Sequence, residues 1–212
     1  MRPRKKPNLN PRLAVCESII IHEPVSLKGH IREQFSNPDA PLHLEIGCGK
    51  GQFVCALAAR YPEVNFVAME REENVAVIAI ERAVKAGVSN VRFIIDDAEH
   101  LPEMFSPAEI SQIYINFCDP WHKRRQYKRR LTYRGRLETY KTLLADDGEL
   151  WFKSDNEPLY RFSCFEFSAA MPPYFSTEDL HESEVASENI MTEYEAHFSG
   201  LGQPIFSIRA KK

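Results

Sequence analysis

Short apolar runs alternate along the chain with longer segments whose apolar residues recur at helical spacing, and turn residues separate the two patterns. The predicted strands are Leu42–Ile46, Val64–Glu70, Val91–Asp96, Gln112–Phe117 and Glu149–Lys153. The predicted helices are Gln52–Arg60, Asn74–Ala86, Leu137–Leu144 and Leu159–Ala170, with a short one before Pro107. Repeated strand–helix units are typical of an α/β fold, because right-handed crossovers place helices on both faces of a parallel sheet.

The two ends of the chain depart from this alternation. Residues 1–12 contain three prolines and five cationic side chains, which predicts a flexible basic N-terminal arm. Tyr174–Leu180 and Ile205–Arg209 are predicted to form a terminal strand pair. A chain of 212 residues can build one sizeable core. We therefore expect one domain over residues 13–212, a mostly parallel, doubly wound sheet with helices on both faces and an antiparallel C-terminal strand.

Composition narrows the class of protein only moderately. Hydrophobic residues make up 43% of the chain and charged residues 27%, which is ordinary for a soluble globular protein. No apolar run approaches the length of a membrane span, and the N-terminus lacks the apolar core of a signal peptide, so we expect a cytoplasmic protein. Five widely spaced cysteines without a CxxC pair argue against a disulfide framework and a zinc site. The histidines show no metal-ligand spacing, so no metal is expected.

The net charge of −3 conceals a strong segregation of charge. Residues 1–12 and 123–136 together hold 13 of the 27 lysines and arginines and none of the 30 acidic residues. The remainder therefore carries 14 cationic residues against 30 acidic ones. A single cationic run could equally be a solvated face. Two such runs favour binding to a nucleic acid.

A glycine-rich turn follows the first predicted strand. Gly47, Gly49 and Gly51 permit a tight turn and let backbone N–H groups approach a ligand. The spacing alone is a weak signal, because a purely structural turn also explains it. Glu45 precedes the turn, where an acid would repel the pyrophosphate of a nicotinamide or flavin dinucleotide. The acid suits the amine and sulfonium cations of S-adenosylmethionine (SAM).

Two more acidic positions follow the next two predicted strands. Glu70 ends the second strand, where a carboxylate can accept hydrogen bonds from ribose hydroxyls. Asp97 follows the third strand and could accept from the adenine amino group, with Asp96 as the competing choice. Asp97 is also a candidate helix N-cap. Together with Glu45, these residues place acids at the carboxyl ends of three successive predicted strands. This arrangement predicts a SAM pocket.

The most informative stretch is residues 116–131, where the fourth strand runs into Asp119, Pro120 and Trp121 and then into a basic cluster. Asp-Pro is commonly a plain turn, but a plain turn has no need of the tryptophan and cations that follow. A carboxylate beside aromatic residues at the start of a cationic surface indicates chemistry on a base carried by a polyanion. RNA is favoured over DNA, because splayed RNA bases are the usual targets of base-specific recognition.

Purine chemistry separates two possible roles for Asp119. An exocyclic amine loses a proton on methylation, and the usual motif for that reaction has a second proline, which Asp119-Pro120-Trp121 lacks. Guanine N7 has a free lone pair and needs no general base, so catalysis there rests on orientation. Our hypothesis is that Asp119 accepts hydrogen bonds from the N1–H and N2–H₂ edge of guanine. It would be a positioning acceptor more than a general base.

Four motifs occur in a characteristic order along the chain. They are Glu45–Gly51, Asn116–Leu131, Lys153–Asn156 and Thr192–Glu195. Together they resemble the bacterial tRNA (guanine-N7)-methyltransferases over roughly residues 30–210. The resemblance implies a Rossmann-like class I methyltransferase fold. It also implies SAM as the methyl donor and N7 of guanine 46 in the variable loop of tRNA as the acceptor.

The resemblance also implies roles for individual residues. Those implied to line the SAM site are Glu45, Gly47, Gly49, Glu70, Asp97 and Asp119, with Asp119 also the catalytic candidate. Those implied to contact the substrate are Lys123, Asp155, Thr192, Glu193, Tyr194 and Glu195. Those implied to meet the RNA backbone are Arg125, Lys128, Arg129 and Arg130. His122 and Cys118 differ from many relatives, which affects only local loop shape; His122 either meets a phosphate or packs in its loop.

Several alternatives stay open at the level of sequence. Without the resemblance, Asp155 or Asn156 would pass as a helix cap, and Thr192–Glu195 as a capping box. The rival functions are an exocyclic-amine methyltransferase, acting at guanine N2 or adenine N6, and a non-catalytic tRNA-binding protein. The retained acids argue against the second rival. The expected partners are SAM and tRNA, with no membrane, and the chain could be a monomer or a homodimer.

Overall fold

A computed structural model describes residues 8–212, and the chain divides into two compact units at residue 106. The first unit contains three parallel strands in the order β3-β2-β1. They are β1 (Leu42–Ile46), β2 (Asn65–Met69) and β3 (Val91–Ile94). Its α-helices are α1 (Leu9–Val15), α2 (Gln52–Arg60), α3 (Glu73–Ala86) and α4 (Leu101–Met104).

The strands of the first unit are buried apolar segments, as continuous hydrophobic runs in a parallel sheet require. All five residues of β2 are buried. The helix α2 follows β1 in the chain and α3 follows β2, so the loop after each of these two strands leads into a helix. This arrangement places the carboxyl ends of β1, β2 and β3 side by side, where the predicted cofactor residues lie.

The N-terminal segment is only partly described. Residues 1–7 of the predicted arm lie outside the described residues. From Leu9 onward the chain forms α1, with Leu9 buried. The guanidinium of Arg12 forms two hydrogen bonds of 2.6 Å with the carboxylate of Glu81 on α3. These contacts raise the pKa of Arg12, chiefly through the hydrogen bond to Glu81.

The second unit contains four strands in the order β4-β5-β7-β6. They are β4 (Ile110–Asn116), β5 (Leu144–Ser154), β6 (Pro173–Thr177) and β7 (Phe206–Lys211). Its α-helices are α5 (Arg134–Leu143), α6 (Glu157–Ala170) and α7 (Glu193–Ser199). The strands β4 and β5 are parallel, whereas β7 is antiparallel to both β5 and β6.

These pairings confirm the predicted α/β class with a mostly parallel sheet and an antiparallel C-terminal strand. The predicted bounds of the first strand and the first helix coincide with those of β1 and α2. That residues 13–212 act as one domain stays a prediction. Among residues 8–212, no helix is both long enough and apolar enough to cross a membrane.

Candidate functional site

The turn after β1 depends on glycine. Gly47, Gly49 and Gly51 have φ angles of 77°, 56° and 73°, a left-handed conformation that other L-residues adopt at a cost. A Cβ on Gly51 would lie 2.6 Å from the Cβ of Ala79, so α3 packs directly against the turn. A Cβ on Gly47 or Gly49 would meet nothing within 4 Å. The turn therefore has open space beside its backbone, which a ligand can approach.

Glu70 organises this turn from the end of β2. Its Oε2 accepts a hydrogen bond from the Gly49 N–H at 3.1 Å, and its Oε1 accepts one from the Glu72 N–H at 3.0 Å. Glu45, the penultimate residue of β1, is only 3% exposed. Burying an acid in an apolar strand is costly, which favours a functional role for Glu45. Both acids lie at the carboxyl ends of adjacent strands, as the SAM hypothesis requires.

The two aspartates after β3 have different hydrogen-bond partners. Asp96 Oδ1 accepts from the Asp97 N–H and lies 2.7 Å from Nδ1 of His100. Asp97 Oδ1 accepts from the Glu99 N–H at 3.1 Å, so Asp97 is the N-cap of the 3-10 helix Ala98–His100. This confirms Asp97 as the N-cap that the sequence predicted. Asp96 also raises the pKa of His100, mainly through that hydrogen bond. Both aspartates therefore have partners within the protein, and the assignment of the adenine contact to Asp97, with Asp96 as the competing choice, stays a prediction.

Two cysteines adjoin the candidate residues, and neither is a nucleophile at neutral pH. Burial raises the pKa of the Cys48 thiol well above its ordinary value, with a further contribution from the charge of Glu45. Burial first, and then the charge of Asp119, raise the pKa of Cys118 to about 12. Because the thiolate is the reactive form, covalent catalysis by either cysteine is disfavoured.

Asp119 is held in a strained loop at the end of β4. Phe117 and Trp121 have φ angles of 50° and 42°, and each such left-handed non-glycine residue costs about 1–3 kcal/mol unless its surroundings impose it. The Phe117 N–H donates to the carbonyl of Lys153 at 2.9 Å. The side chain of Asp119 is exposed. Strain on both sides of an exposed carboxylate is unnecessary in a plain turn and favours a functional loop.

Four predicted phosphate-binding side chains lie together on the next segment. The 3-10 helix Arg124–Arg129 follows the strained loop, with Lys123 as its N-cap. The exposed side chains of this segment that were predicted to contact RNA are Lys123, Arg125, Lys128 and Arg129. The guanidinium of Arg129 also lies over the ring of Trp121, 5.1 Å from its centroid. The segment thus presents a cationic surface directly after Asp119.

Arg130 differs from the exposed cations that precede it in this segment. It is only 4% exposed, and its Nε donates to the carbonyl of Pro120 at 2.8 Å. Its guanidinium contacts two neighbouring rings, 3.9 Å from the centroid of Tyr127 and 4.3 Å from that of Phe162. The predicted contact of Arg130 with the RNA backbone stays a prediction, and this burial argues against it. The side chain is engaged within the protein because aromatic residues from two elements enclose it.

A buried ion pair fixes the start of α7. Lys153 and Glu195 are 5% and 0% exposed, and Lys153 Nζ lies 2.5 Å from Glu195 Oε2. Lys153 also donates to Asn189 Oδ1 and to the carbonyl of Ile190, both at 2.8 Å. Thr192 and Glu195 form the capping box at the helix start. In this structure Glu195 faces the protein interior and holds α7 against the end of β5, and its predicted contact with the substrate stays a prediction.

Tyr194 is the exposed neighbour of that ion pair. It is 49% exposed, and its ring lies 5.1 Å from that of Phe117. Burial, and then the carboxylate of Asp155 to which its hydroxyl is hydrogen-bonded, raise the pKa of Tyr194. The Asn156 side chain caps α6 by accepting from the Leu159 N–H at 2.9 Å. Asp155 and Tyr194 are therefore brought together beside the loop that carries Asp119. The side chain of Glu193 lies outside the described part of the chain.

Replacing Glu195 by alanine is expected to lower the free energy of unfolding by about 3–5 kcal/mol, because it leaves Lys153 buried without its counter-charge. Urea denaturation followed by circular dichroism measures this change. Glu184, which is exposed on the same unit, is the matched control, and its alanine variant should change stability by less than about 0.5 kcal/mol. A Glu195→Ala loss below about 1 kcal/mol would show that the ion pair does not hold α7.

Sequence reasoning missed the residues that support the site. Lys153 had no assigned role, although a lysine inside an apolar strand is a signal of a buried partner. Phe162 and Asn189 gave no local signal, because their partners are distant in sequence. The spacing of Tyr127 and Arg130, one helical turn apart, was the only available hint of a stacked arginine.

Known proteins give independent information on the family. A family model described as "Putative methyltransferase" matches residues 39–208. A tRNA (guanine-N(7)-)-methyltransferase of Brevibacillus brevis is 46% identical over 90% of this chain and 89% of its own length. One of Listeria monocytogenes serotype 4b is 45% identical over 100% of this chain and 98% of its own.

Solved structures support the fold. An antibiotic-related methyltransferase superposes with a TM-score of 0.60 at 18% identity, covering 87% of this chain and 91% of its own. A SAM-dependent methyltransferase from Aquifex aeolicus superposes with a TM-score of 0.56 at 14% identity, covering 80% of this chain and 81% of its own. This likeness confirms the Rossmann-like methyltransferase fold. With relatives of 40–46% identity over 90–100% of its length, the chain belongs to the tRNA (guanine-N7)-methyltransferase family, whose members are SAM-dependent enzymes.

Proposed function

We propose that this chain transfers the methyl group of SAM to N7 of a guanine in tRNA. The observation that carries the proposal is the exposed carboxylate of Asp119 in a strained loop, followed at once by exposed cations. The relatives named above carry tRNA and guanine N7 in their names. The acceptor would be guanine 46 of the variable loop, and the enzyme would meet its substrate in the cytoplasm.

The residues of the first unit fit SAM. The open space beside Gly47 and Gly49 would admit the cofactor to the turn. Glu70 would accept from the ribose hydroxyls, and Asp97 from the adenine amino group. Glu45 would offset the positive charge of the amino-acid portion. When bound, SAM supplies an electrophilic methyl group on a sulfonium.

The residues of the second unit would bind and orient the RNA. Asp119 would accept from the N1–H and N2–H₂ groups of guanine, and its predicted contact with SAM stays a prediction. Since N7 already carries a lone pair, no residue has to remove a proton from it. Asp155 and Tyr194 would contact the nucleotide, together with Thr192 and Glu193. Lys123, Arg125, Lys128 and Arg129 would bind phosphates, which predicts affinity that falls steeply with salt.

Incubation of the purified chain with methyl-labelled SAM and unmodified tRNA tests this function. We expect label to enter tRNA, and a transcript whose variable-loop guanine is replaced by adenine to receive none. Incorporation into both transcripts would exclude the proposed acceptor. Binding of tRNA without any incorporation would identify a tRNA-binding protein instead of an enzyme.

A further inference from the structure

Arg130 occupies an unusual environment for a residue in a run of surface cations. Its neighbours Lys128 and Arg129 are exposed, whereas Arg130 is 4% exposed. Its Nε donates to the Pro120 carbonyl at 2.8 Å, and a terminal nitrogen lies 3.4 Å from the Trp121 carbonyl. These two carbonyls belong to the residues immediately after Asp119. The guanidinium thus contacts the backbone of the candidate catalytic loop.

The strained conformation of that loop requires restraints at both ends. Non-glycine residues in left-handed conformations persist only where the surrounding structure imposes them. At one end, the Phe117 N–H donates to the Lys153 carbonyl. At the other end, Trp121 has φ 42°, and its carbonyl and that of Pro120 face Arg130. Arg130 is therefore placed to hold Trp121 in its left-handed conformation.

A guanidinium suits this position better than an ammonium. The rings of Tyr127 and Phe162 lie on the guanidinium at 3.9 and 4.3 Å from their centroids, and those rings are 5.4 Å from each other. A planar group can stack on aromatic faces while its N–H donors reach carbonyls at its edge. Lysine keeps the charge but has neither the plane nor the fork of donors. Phe162 lies on α6, so Arg130 also links the loop to a helix of the core.

We propose that Arg130 is a positioning residue that fixes the Asp119 loop in its productive conformation, and that it does not bind tRNA phosphates. The inference rests on the proposed function, because the consequence of a misplaced Asp119 is a slower methyl transfer. A loop displaced by about an ångström would cost about 100-fold in rate. Affinity for tRNA, which depends on the exposed cations, would stay unchanged.

The test compares Arg130→Lys with Arg125→Ala in the full chain, since Arg125 is an exposed cation of the same segment. We measure kcat with unmodified tRNA, the Kd for tRNA, and the dependence of that Kd on salt. Arg130→Lys should lower kcat at least about tenfold, a modest fraction of what misorientation can cost, and leave the tRNA affinity and its salt dependence unchanged. Arg125→Ala should instead weaken tRNA binding and reduce the salt slope by about one.

The outcomes separate the two roles of Arg130. A phosphate ligand tolerates lysine, so an Arg130→Lys enzyme with wild-type kcat would overturn the proposal, as would a loss confined to tRNA affinity. If Arg130→Lys fails to fold, Phe162→Leu decides: it removes one stacking ring and keeps the guanidinium, and a lower kcat with unchanged tRNA affinity supports the proposal. Wild-type kcat in a folded Phe162→Leu variant would then overturn it. Failure of the wild-type chain to methylate tRNA would instead reject the proposed function.

Discussion

Replacing Asp119 by alanine is expected to abolish methyl transfer to tRNA while leaving the affinity for SAM nearly intact. Alanine removes both acceptors for the donor edge of guanine, so the base would no longer be held with N7 in line with the methyl group. We expect kcat to fall at least about 100-fold, the usual consequence of lost orientation. Steady-state assays with saturating tRNA and SAM measure kcat, and isothermal titration calorimetry measures SAM binding.

Two variants control this experiment. Asp119→Asn keeps one acceptor oxygen and places an amide N–H₂ against the donors of guanine. We therefore expect it to show most of the loss of kcat that is expected for Asp119→Ala. Asp146, whose side chain is 99% exposed on the same unit, provides the neutral control. Asp146→Ala should retain wild-type rate. An Asp119→Ala enzyme that keeps more than about a tenth of the wild-type kcat would refute orientation by this carboxylate.

Replacing Glu70 by alanine is expected to weaken SAM binding by about 10- to 100-fold. The carboxylate would accept from the ribose of SAM, and it already accepts from the Gly49 N–H at 3.1 Å and the Glu72 N–H at 3.0 Å. A charged hydrogen bond is worth about 1.5–3 kcal/mol, and each 1.4 kcal/mol is tenfold in affinity. Calorimetric titration with SAM measures the change.

The matched control is Glu63→Ala, which removes an exposed acid just before β2. It should leave the Kd for SAM within about twofold of wild type, as expected for a surface substitution. Binding of tRNA to Glu70→Ala should also be unchanged, because the cations proposed to bind phosphates belong to the other unit. A Glu70→Ala chain with wild-type SAM affinity would remove this residue from the cofactor site.

The sequence predicted β1 and α2 well, because an apolar run, a glycine turn and a helical repeat follow one another there without interruption. β5 was predicted too short: it begins at Leu144, whereas the pattern indicated Glu149. Asp146, Asp147 and Gly148 indicate a turn, and in the structure they lie inside β5. The pairing with β4 shifts register between Ile110 and Gln112, as at a bulge. A bulge accommodates polar residues and glycine that would otherwise end a strand.

The positions of the candidate residues were predictable where they follow directly from strand ends. Glu45, Glu70 and Asp119 all lie at or just beyond the carboxyl end of a strand. Arg130 was not predictable, because its burial depends on Phe162, a residue of a later helix. The same holds for Glu195, whose partner Lys153 lies 42 residues earlier in the chain. Local patterns identify the exposed groups of the site, whereas the contacts that hold those groups form only in the folded chain.

The most direct test of the proposed function is the identity of the methylated nucleoside. Unmodified tRNA is incubated with the wild-type protein and SAM, digested to nucleosides and analysed by mass spectrometry. Cleavage of the undigested RNA strand after reduction is a second readout for N7 methylation. We expect 7-methylguanosine, and cleavage only at the variable-loop guanine. Finding N2-methylguanosine or N6-methyladenosine instead would contradict the assignment of Asp119 as a positioning acceptor for N7.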